Sequence, residues 1–300
     1  MTYKLMFDVG GTKIKAGFIS EAFEVSKVHT FDAMSKGTKE EIIENFASIV
    51  VLLTNEIKDD KKLITGIGMA FPGPFDYENG ISLMKDLGKY DSIYGCNIKN
   101  EILEKLSIVP EIKFISKELQ FVFLHDIEAF AIGEAHFGAA IHYKRIICLC
   151  IGTGAGSAFL EGGVVLKQAK GTVPEHGWIY NTPFRESIID DYISVRGLER
   201  ITRDYYNEKL DGYALYQKAK EHDYRALEIF NEFGRLLQLG IEPFLEGFEP
   251  ELLILGGQIS KSFCFFGEEL NVYCMAHGIS IVPTKDTSIS IWKGLLHAFQ

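Results

Sequence analysis

The feature that most constrains the fold is a pattern that occurs twice: an apolar strand, a glycine-containing turn and a second apolar strand. The first copy occupies residues 4–20, and the second occupies residues 151–160. Short apolar runs bounded by glycine predict strands joined by tight turns. Two copies this far apart indicate that the two halves of the chain are versions of one lobe.

The segment after the first copy predicts a mixed sheet. Residues 23–31 have apolar side chains at alternate positions, which predicts a third strand. Thr38 precedes a 3.6-residue apolar period that continues to Ile57 and indicates an amphipathic helix. Leu63–Phe71 is then an apolar run typical of a buried strand. A strand, a helix and a strand in succession imply a parallel pair.

The rest of the chain predicts further alternation of helices and strands. Pro72 breaks the preceding strand and begins an irregular region, extending to about Gly95, of the kind that often holds ligands. We predict strands at residues 121–124, 145–151 and 251–255, helices at 98–106, 127–137 and 291–299, and a mostly helical stretch at 187–248. We place one lobe at residues 1–118, joined by a C-terminal helix at 288–300, and the other at residues 119–287.

Composition and charge limit the classes of function. A chain of 300 residues that are 47% hydrophobic can build two large cores. Its formal net charge of -10 would repel a phosphate backbone, which argues against nucleic acid as a partner. Asp8 interrupts the first apolar run, and no stretch is long and apolar enough to span a bilayer. We therefore expect a cytoplasmic protein with a small-molecule partner and no membrane.

The five cysteines predict no disulfide framework. Cys148 and Cys150 lie two residues apart in an apolar run, where a strand would place both on one face. Reduced core thiols are the simpler interpretation. Half of a metal site is the alternative, although no further ligands follow nearby.

The first chemical signal is a strand-end carboxylate followed by two glycines and a hydroxyl, Asp8-Val9-Gly10-Gly11-Thr12-Lys13. A tight glycine turn allows backbone N–H groups to approach a phosphate, and the carboxylate can hold the hydrated Mg²⁺ that neutralises it. An ordinary β-hairpin turn is the alternative.

A second glycine turn, Gly152-Thr153-Gly154, lies between the two predicted strands of the second copy. It suits the β- and γ-phosphates of a nucleotide, bound from the other lobe. A dinucleotide-binding Rossmann loop is the alternative. It fits poorly, because the residues after Gly156 continue as a strand rather than opening a helix.

The third signal is Asp126, which follows a predicted strand and directly precedes a predicted helix. A carboxylate at this position faces the edge of a sheet where α/β folds usually keep their ligands. A plain helix N-cap is the alternative interpretation.

Taken in this order, the motifs resemble the ROK family of bacterial sugar kinases and repressors. They are Asp8-Val9-Gly10-Gly11-Thr12-Lys13, Phe71-Pro72-Gly73-Pro74, His125-Asp126-Ile127-Glu128-Ala129, Ile151-Gly152-Thr153-Gly154 and Leu255-Gly256-Gly257. The match extends over nearly the whole chain. It implies an α/β protein with the two-lobed actin-like ATPase (ribonuclease H-like) fold, each lobe a mixed sheet with helices.

The resemblance also implies a role for each motif residue. Asp126 would be the catalytic base that accepts the proton of the attacking sugar hydroxyl, and Asp8 would hold Mg²⁺ through water. ATP and its phosphates would be bound by Asp8, Gly10, Gly11, Thr12, Lys13, Gly152, Thr153, Gly154, Gly256 and Gly257. The sugar would be bound by Gly73, His125, Glu128, Glu175 and Trp178.

The chain departs from the family pattern at the sugar contacts. The family usually has Asn immediately before the catalytic Asp and again two residues after it, where this chain has His125 and Glu128. The family motif Glu-x-Gly-His begins here at Glu175 but ends in Trp178, an indole that can stack on a sugar face or pack in the core. The family's zinc-binding cysteines are missing, so we expect no structural zinc.

The sequence thus predicts a glucokinase-like, ATP-dependent kinase for a hexose or an N-acetylhexosamine. A relative that binds sugar or nucleotide without turnover, or takes an unusual substrate, is the first alternative because of His125 and Trp178. A transcriptional regulator is the second. ROK repressors carry an N-terminal helix-turn-helix domain, for which the phosphate loop at residue 8 leaves no room. A homodimer is expected from the resemblance alone.

Overall fold

The computed structural model describes residues 2–57, 63–109, 115–206 and 210–300. The strands are β1 Thr2–Val9, β2 Lys13–Ser20, β3 His29–Asp32, β4 Leu63–Phe71, β5 Phe75–Asp76, β6 Ile81–Ser82, β7 Ile115–His125, β8 Arg145–Ile151, β9 Ala155–Glu161, β10 Val164–Val165, β11 Pro183–Phe184, β12 Ser187–Ile188, β13 Leu252–Gly256 and β14 Ser280–Pro283. The helices are α1 Lys39–Asn55, α2 Ile98–Ser107, α3 Asp126–Phe137, α4 Val195–Tyr205, α5 Gly212–Lys220, α6 Tyr224–Phe248, α7 Phe263–Phe266, α8 Glu268–Ala276 and α9 Thr287–His297. Of the helices within these ranges, none has the length and apolar character needed to cross a membrane.

These elements form two compact units, Met1–Gly133 with Ser288–Gln300, and Glu134–Thr287. Each unit contains one five-stranded sheet, ordered β3-β2-β1-β4-β7 in the first and β10-β9-β8-β13-β14 in the second. In both sheets the first three strands are antiparallel neighbours and the last two are added in parallel. The prediction that the halves are versions of one lobe is therefore confirmed.

In the first unit, α1 forms where the sequence supplies both a start signal and an apolar face. The Thr38 side chain accepts from the Glu41 N–H at 3.2 Å, and the Glu41 carboxylate accepts from the Thr38 N–H at 2.8 Å. This capping box satisfies two backbone donors that the helix start would otherwise leave unpaired. The apolar face then carries Phe46 into the core, where its ring packs against Phe7 and Phe71.

In the second unit, the 25-residue helix α6 supplies much of the core. Asp223 caps its start by accepting from the Ala226 N–H at 3.0 Å. Near its C-terminal end, Phe244 and Phe248 both pack their rings against Phe159 of β9. The unit thus has its own hydrophobic core, separate from that of the first.

Helices α3 and α9 approach each other backbone to backbone in the first unit. A Cβ added at Gly133 would collide with the Ser290 carbonyl oxygen, and one added at Gly294 would collide with the Ala129 carbonyl oxygen. Glycine is needed at both positions because the helices are this close, not because the backbone is unusual. The crossing fixes the start of α9, which carries Ser288, within this unit.

Most predicted elements are present, and several differ from the predictions. The strand predicted at residues 121–124 is the longer β7, Ile115–His125, and the short strands β5, β6, β10, β11 and β12 were not predicted. The bounds of β4 and β8 are those predicted, and α1, α2, α3 and α9 differ by a few residues at most. The third strand is confined to His29–Asp32, and the chain before it turns at Phe23, which has a positive φ of 62°. Residues 263–283, for which the sequence predicted no element, form α7, α8 and β14.

Burial of the cysteine side chains raises the pKa of two thiols, those of Cys148 and Cys274. Cys148 and Cys274 are buried and Cys150 is partly buried, and none of the three forms a disulfide within the described residues. Burial raises the pKa of Cys274 to about 11 and that of Cys148 well above its ordinary value. Cys148 is therefore a reduced core thiol, as the sequence indicated.

We expect Gly294→Ala to destabilise the protein, because the added methyl group must push α3 away from α9. Overpacking of this kind typically costs about 1 to 3 kcal/mol of the free energy of unfolding. Gly212→Ala is the matched control, since a Cβ there would lie 3.9 Å from Leu198 Cδ2. Urea unfolding followed by circular dichroism compares the two variants. Wild-type stability of Gly294→Ala would contradict the close crossing.

Candidate functional site

The carboxyl ends of β1, β4 and β7 lie at one edge of the first sheet. In the parallel register Asp8 is aligned with Ala70, and Ala70 with Leu124. Because neighbouring strands are about 4.8 Å apart, the backbones of β1 and β7 are separated by about 10 Å at this level. The sheet therefore brings Asp8 and Asp126, which follows β7, to the same edge.

The turn between β1 and β2 is held through its carbonyl groups. The Tyr90 hydroxyl donates to the Gly10 carbonyl at 2.9 Å. The Ser35 hydroxyl donates to the Gly11 carbonyl at 2.5 Å. Within the described residues, no acceptor pairs with the N–H groups of Gly11 and Thr12. These N–H groups are the donors that the turn can offer to an anion.

Ser288 and Lys15 support the carboxylate of Asp8, and neither had a signal in the sequence. The Ser288 hydroxyl donates to Asp8 Oδ2 at 2.6 Å, and Lys15 Nζ lies 2.9 Å from the Ser288 Oγ. This chain of contacts orients the carboxylate and places a positive charge near it. Lys13, a predicted ATP ligand, has its Nζ 2.5 Å from Asp32 Oδ1 at the exposed surface.

Asp126 lies between the end of β7 and the first turn of α3. Its Oδ1 accepts from the Ile127 N–H at 2.7 Å and lies 3.0 Å from His125 Nδ1. The Asp126 side chain is 43% exposed, whereas that of His125 is 18% exposed. Among the residues that the structure describes, no group donates to Asp126 Oδ2. The carboxylate is thus fixed at one oxygen and can present the other to a ligand.

Three of the predicted sugar-binding residues gather around Asp126. A Cβ added at Gly73 would lie 3.3 Å from the His125 ring. Tyr77, which the sequence did not single out, packs edge-on against His125 with ring centroids 5.9 Å apart. Burial raises the pKa of Tyr77, and the carboxylates of Asp126 and Glu128 raise it further. Gly73, His125, Glu128 and Asp126 are therefore neighbours in the first unit.

In the second unit, a carboxylate supports the Gly152-Thr153-Gly154 turn. Asp190, which is 8% exposed, accepts from the Ala155 N–H at 2.6 Å. A Cβ added at Gly154 would lie 3.1 Å from Asp190 Oδ1, so the turn packs closely on this carboxylate. The Arg196 guanidinium pairs with the same carboxylate and offsets its buried charge. Asp190 and Arg196 were both missed by the sequence analysis.

A hydrogen bond to a carbonyl group also holds the backbone of the second turn. The Gly152 carbonyl accepts from the N–H of Val195, the first residue of α4, at 2.9 Å. In the described part of the chain, the N–H groups of Thr153 and Gly154 pair with no acceptor. Each glycine turn therefore has engaged carbonyls and N–H groups that can meet a phosphate.

Gly256 and Gly257 lie beside this second turn. Gly256, the last residue of β13, is paired with Cys150 of β8. Gly257 has a φ of 86°, and a Cβ there would collide with the Ile151 carbonyl oxygen, so only glycine fits. Its N–H donates to Thr287 Oγ1 at 2.9 Å. The predicted nucleotide-binding glycines of this unit are thus brought together.

Glu175 and Trp178 belong to a segment that is anchored on β9. The Ser157 hydroxyl donates to the Gly177 carbonyl at 2.6 Å and fixes the segment. Glu175 is exposed. Trp178 is half-buried, and its ring centroid lies 4.7 Å from that of His176. Trp178 is therefore only partly a core residue.

The sequence model of the ROK family matches residues 5–275. The chain is 26% identical over 277 residues to a glucokinase from Thermotoga maritima, covering 85% of this chain and 81% of the relative. It is 24% identical over 292 residues to an N-acetyl-D-glucosamine kinase from Aliivibrio fischeri, covering 92% and 90%. The chain belongs to the ROK family, as its motifs predicted.

Solved structures of the family share the fold. A ROK family glucokinase from Streptomyces griseus, in complex with glucose and AMPPNP, matches with a TM-score of 0.77 at 18% identity, covering 99% of this chain and 98% of that one. A ROK family transcriptional regulator matches with a TM-score of 0.76 at 16% identity, covering 99% and 80%. The predicted α/β fold of the actin-like ATPase class, with a mixed sheet in each lobe, is confirmed. Because kinases and regulators share it, the activity must be argued from the site.

We expect Tyr90→Phe to loosen the first glycine turn, because it removes the hydroxyl that donates to the Gly10 carbonyl. Loss of one such bond should lower the free energy of unfolding by about 1 to 2 kcal/mol. ATP should bind more weakly, as measured by isothermal titration calorimetry. Tyr213→Phe is the control, because that side chain is 73% exposed. Wild-type ATP affinity in Tyr90→Phe would contradict a role for this bond in nucleotide binding.

Proposed function

We propose that this chain is a kinase that transfers the γ-phosphoryl group of ATP to a hydroxyl of a hexose or an N-acetylhexosamine. The observation that carries the proposal is the shared sheet edge. The glycine turn after Asp8 and the carboxylate of Asp126 follow two strands that have only β4 between them. A separation of about 10 Å leaves room for a phosphoryl group and an acceptor hydroxyl. Relatives named glucokinase and N-acetyl-D-glucosamine kinase support this class of substrate.

We assign Asp126 as the general base. Its Oδ2 would accept the proton of the sugar hydroxyl while the hydroxyl oxygen bonds to the γ-phosphorus and the bond to ADP breaks. Phosphoryl transfer has a loose transition state, so the proton moves late and much of the rate comes from positioning. Loss of the carboxylate should therefore reduce turnover far more than binding.

The nucleotide contacts follow the two glycine turns. The N–H groups of Gly11 and Thr12 in the first unit, and of Thr153 and Gly154 in the second, are the proposed phosphate donors. Gly10, Lys13, Gly152, Gly256 and Gly257 complete the proposed set. The support comes from the carbonyl bonds that orient each turn.

Asp8 is the proposed ligand for Mg²⁺, through water. Mg²⁺ in such sites commonly takes one or two carboxylates together with substrate phosphates, and the oriented Asp8 fits this set. When bound, the ion neutralises charge on the transferring phosphoryl group. Within the described ranges, no group of three or more His, Cys, Asp or Glu side chains is placed to hold a metal. A Mg²⁺ ion held by Asp8 through water and by the phosphates of the nucleotide needs no cluster of three protein ligands.

The sugar contacts have two kinds of support. Gly73, His125 and Glu128 are assigned because they lie beside Asp126. Glu175 and Trp178 are assigned through the resemblance of their motif to that of the family. Binding of sugar or nucleotide without turnover is the competing function, and the chain's own His125 and Trp178 favour it.

Asp126→Asn should lower kcat by at least about 100-fold, because an amide cannot accept the hydroxyl proton. The KM values for ATP and sugar should stay within about threefold of the wild type, since the side chain keeps its size. A coupled assay of ADP release, with Mg-ATP and a panel of hexoses, N-acetylhexosamines and pentoses, measures both. Asp204→Asn, an exposed change in α4, is the control.

Two outcomes of this assay would count against the proposal. Undiminished turnover in Asp126→Asn would exclude Asp126 as the base. Absence of sugar-dependent ADP release across the panel, with ATP still bound in a titration, would favour binding without turnover.

A further inference from the structure

The loop between β6 and α2 places a lysine side chain across the first glycine turn. A Cβ added at Gly11 would lie 3.2 Å from the Lys89 Cδ, so the Lys89 side chain occupies the space that a side chain at residue 11 would need. Standard bond lengths then place the Lys89 Nζ within about 7 Å of the Gly11 Cα. The charged end of Lys89 therefore lies close to the turn that follows Asp8.

The backbone is fixed on both sides of Lys89. Tyr90, the next residue, is fully buried, and its N–H donates to the Ser35 carbonyl at 2.5 Å while its hydroxyl donates to the Gly10 carbonyl at 2.9 Å. The two backbone N–H groups that precede Lys89 both donate to the Asp91 carboxylate at 2.9 Å. The contact between Lys89 and the turn is thus built into the fold, because Tyr90 holds the loop and the turn together.

The ammonium group of Lys89 differs from those of the neighbouring lysines. Lys13 Nζ lies 2.5 Å from Asp32 Oδ1, and Lys15 Nζ lies 2.9 Å from Ser288 Oγ. Lys89 is partly buried, and in the described part of the chain its Nζ has neither a hydrogen-bond acceptor nor an ion-pair partner. Its N–H donors are therefore available to a ligand.

The turn supplies the other donors that a phosphate needs. The N–H groups of Gly11 and Thr12 have no acceptor within the described ranges, and Ser35 already engages the Gly11 carbonyl. Backbone N–H groups joined by a lysine ammonium are a common way of binding phosphate oxygens. Because the proposed base Asp126 follows a strand at the same sheet edge, the phosphate at this turn is the one to be transferred.

We propose that Lys89 binds the γ-phosphate of ATP at the first glycine turn, as a charged donor beside the N–H groups of Gly11 and Thr12. This inference rests on the proposed function, which supplies the nucleotide. It gives the loop after β6 a part in nucleotide binding that is separate from any contact with the sugar.

Variants that separate the stem of Lys89 from its charge test the proposal. Lys89→Met keeps the stem over Gly11 and loses the ammonium, so its affinity for AMPPNP with Mg²⁺ should fall by about 10- to 100-fold in isothermal titration calorimetry. ADP, which lacks the γ-phosphate, should bind as it does to the wild type. Lys89→Arg keeps a positive charge and should recover most of the affinity for AMPPNP. Lys85→Met is the control, because Lys85 is exposed in the same loop with its Nζ 5.7 Å from the Tyr94 ring centroid.

Three outcomes of these titrations would overturn the inference. The first is wild-type affinity for AMPPNP in Lys89→Met with a loss only in Lys89→Ala, since the stem and not the charge would then matter. The second is unchanged nucleotide affinity with a raised KM for sugar, which would show a sugar contact. The third is an equal loss of affinity for ADP and AMPPNP. Thermal unfolding of each variant identifies any that fails to fold, and Lys89→Arg still reports on the charge should Lys89→Met be unstable.

The titrations need no turnover, so they are separate from the test of the proposed function. A wild type that binds AMPPNP and phosphorylates no sugar would overturn the proposed function, and Lys89→Met would still decide the role of Lys89. Acetylation of the folded protein, followed by mass spectrometry, gives a second readout. Bound AMPPNP should protect Lys89 and leave Lys85 reactive. Equal acetylation of Lys89 with and without AMPPNP would overturn the inference.

Discussion

In each unit, the parallel strands end at the same level of the sheet, and this alignment positions the groups of the candidate site in that unit. Because parallel strands run in the same direction, their carboxyl ends lie at one edge of the sheet. In the first unit this edge carries the turn after Asp8, the loop that begins beyond β4, and Asp126. In the second unit the same topology places Gly257 beside the turn after β8. Within each unit, the sheet topology thereby brings together groups that are far apart in the sequence.

Hydrogen bonds to the backbone of each glycine turn then fix the direction of the N–H groups that could bind a phosphate. In the first turn, Tyr90 and Ser35 engage the carbonyl groups. In the second turn, the Asp190 carboxylate accepts from the Ala155 N–H, and the Arg196 guanidinium offsets the charge of that carboxylate. Each bond contributes only about 1 kcal/mol to stability, so their importance lies in orientation. In each unit, this arrangement suits a phosphate group, which is the kind of group that we propose the protein binds.

Local sequence patterns predicted the main strands and the glycine turns. They did not predict the contacts between residues far apart in the sequence that hold those turns in place. The bounds of β4 and β8 followed from uninterrupted apolar runs, and the glycine turns followed from composition. Helix α8 was missed because Val272 and Met275, which are 65% and 79% exposed, blur its apolar period. Ser288 reaches Asp8 across 280 residues of sequence, and no spacing rule could have paired them. The family resemblance indicated the motif residues, whereas the groups that hold them in place became visible only in the structure.

The central claim is that the edge carrying Asp8 also carries the acceptor hydroxyl, next to Asp126. A crystal structure with a non-hydrolysable ATP analogue, Mg²⁺ and the sugar identified by assay tests it most directly. We expect one sugar hydroxyl within hydrogen-bond distance of Asp126 Oδ2 and nucleotide phosphates at the N–H groups of Gly11 and Thr12. A sugar bound with no hydroxyl near Asp126, or phosphates away from the turn after Asp8, would contradict it.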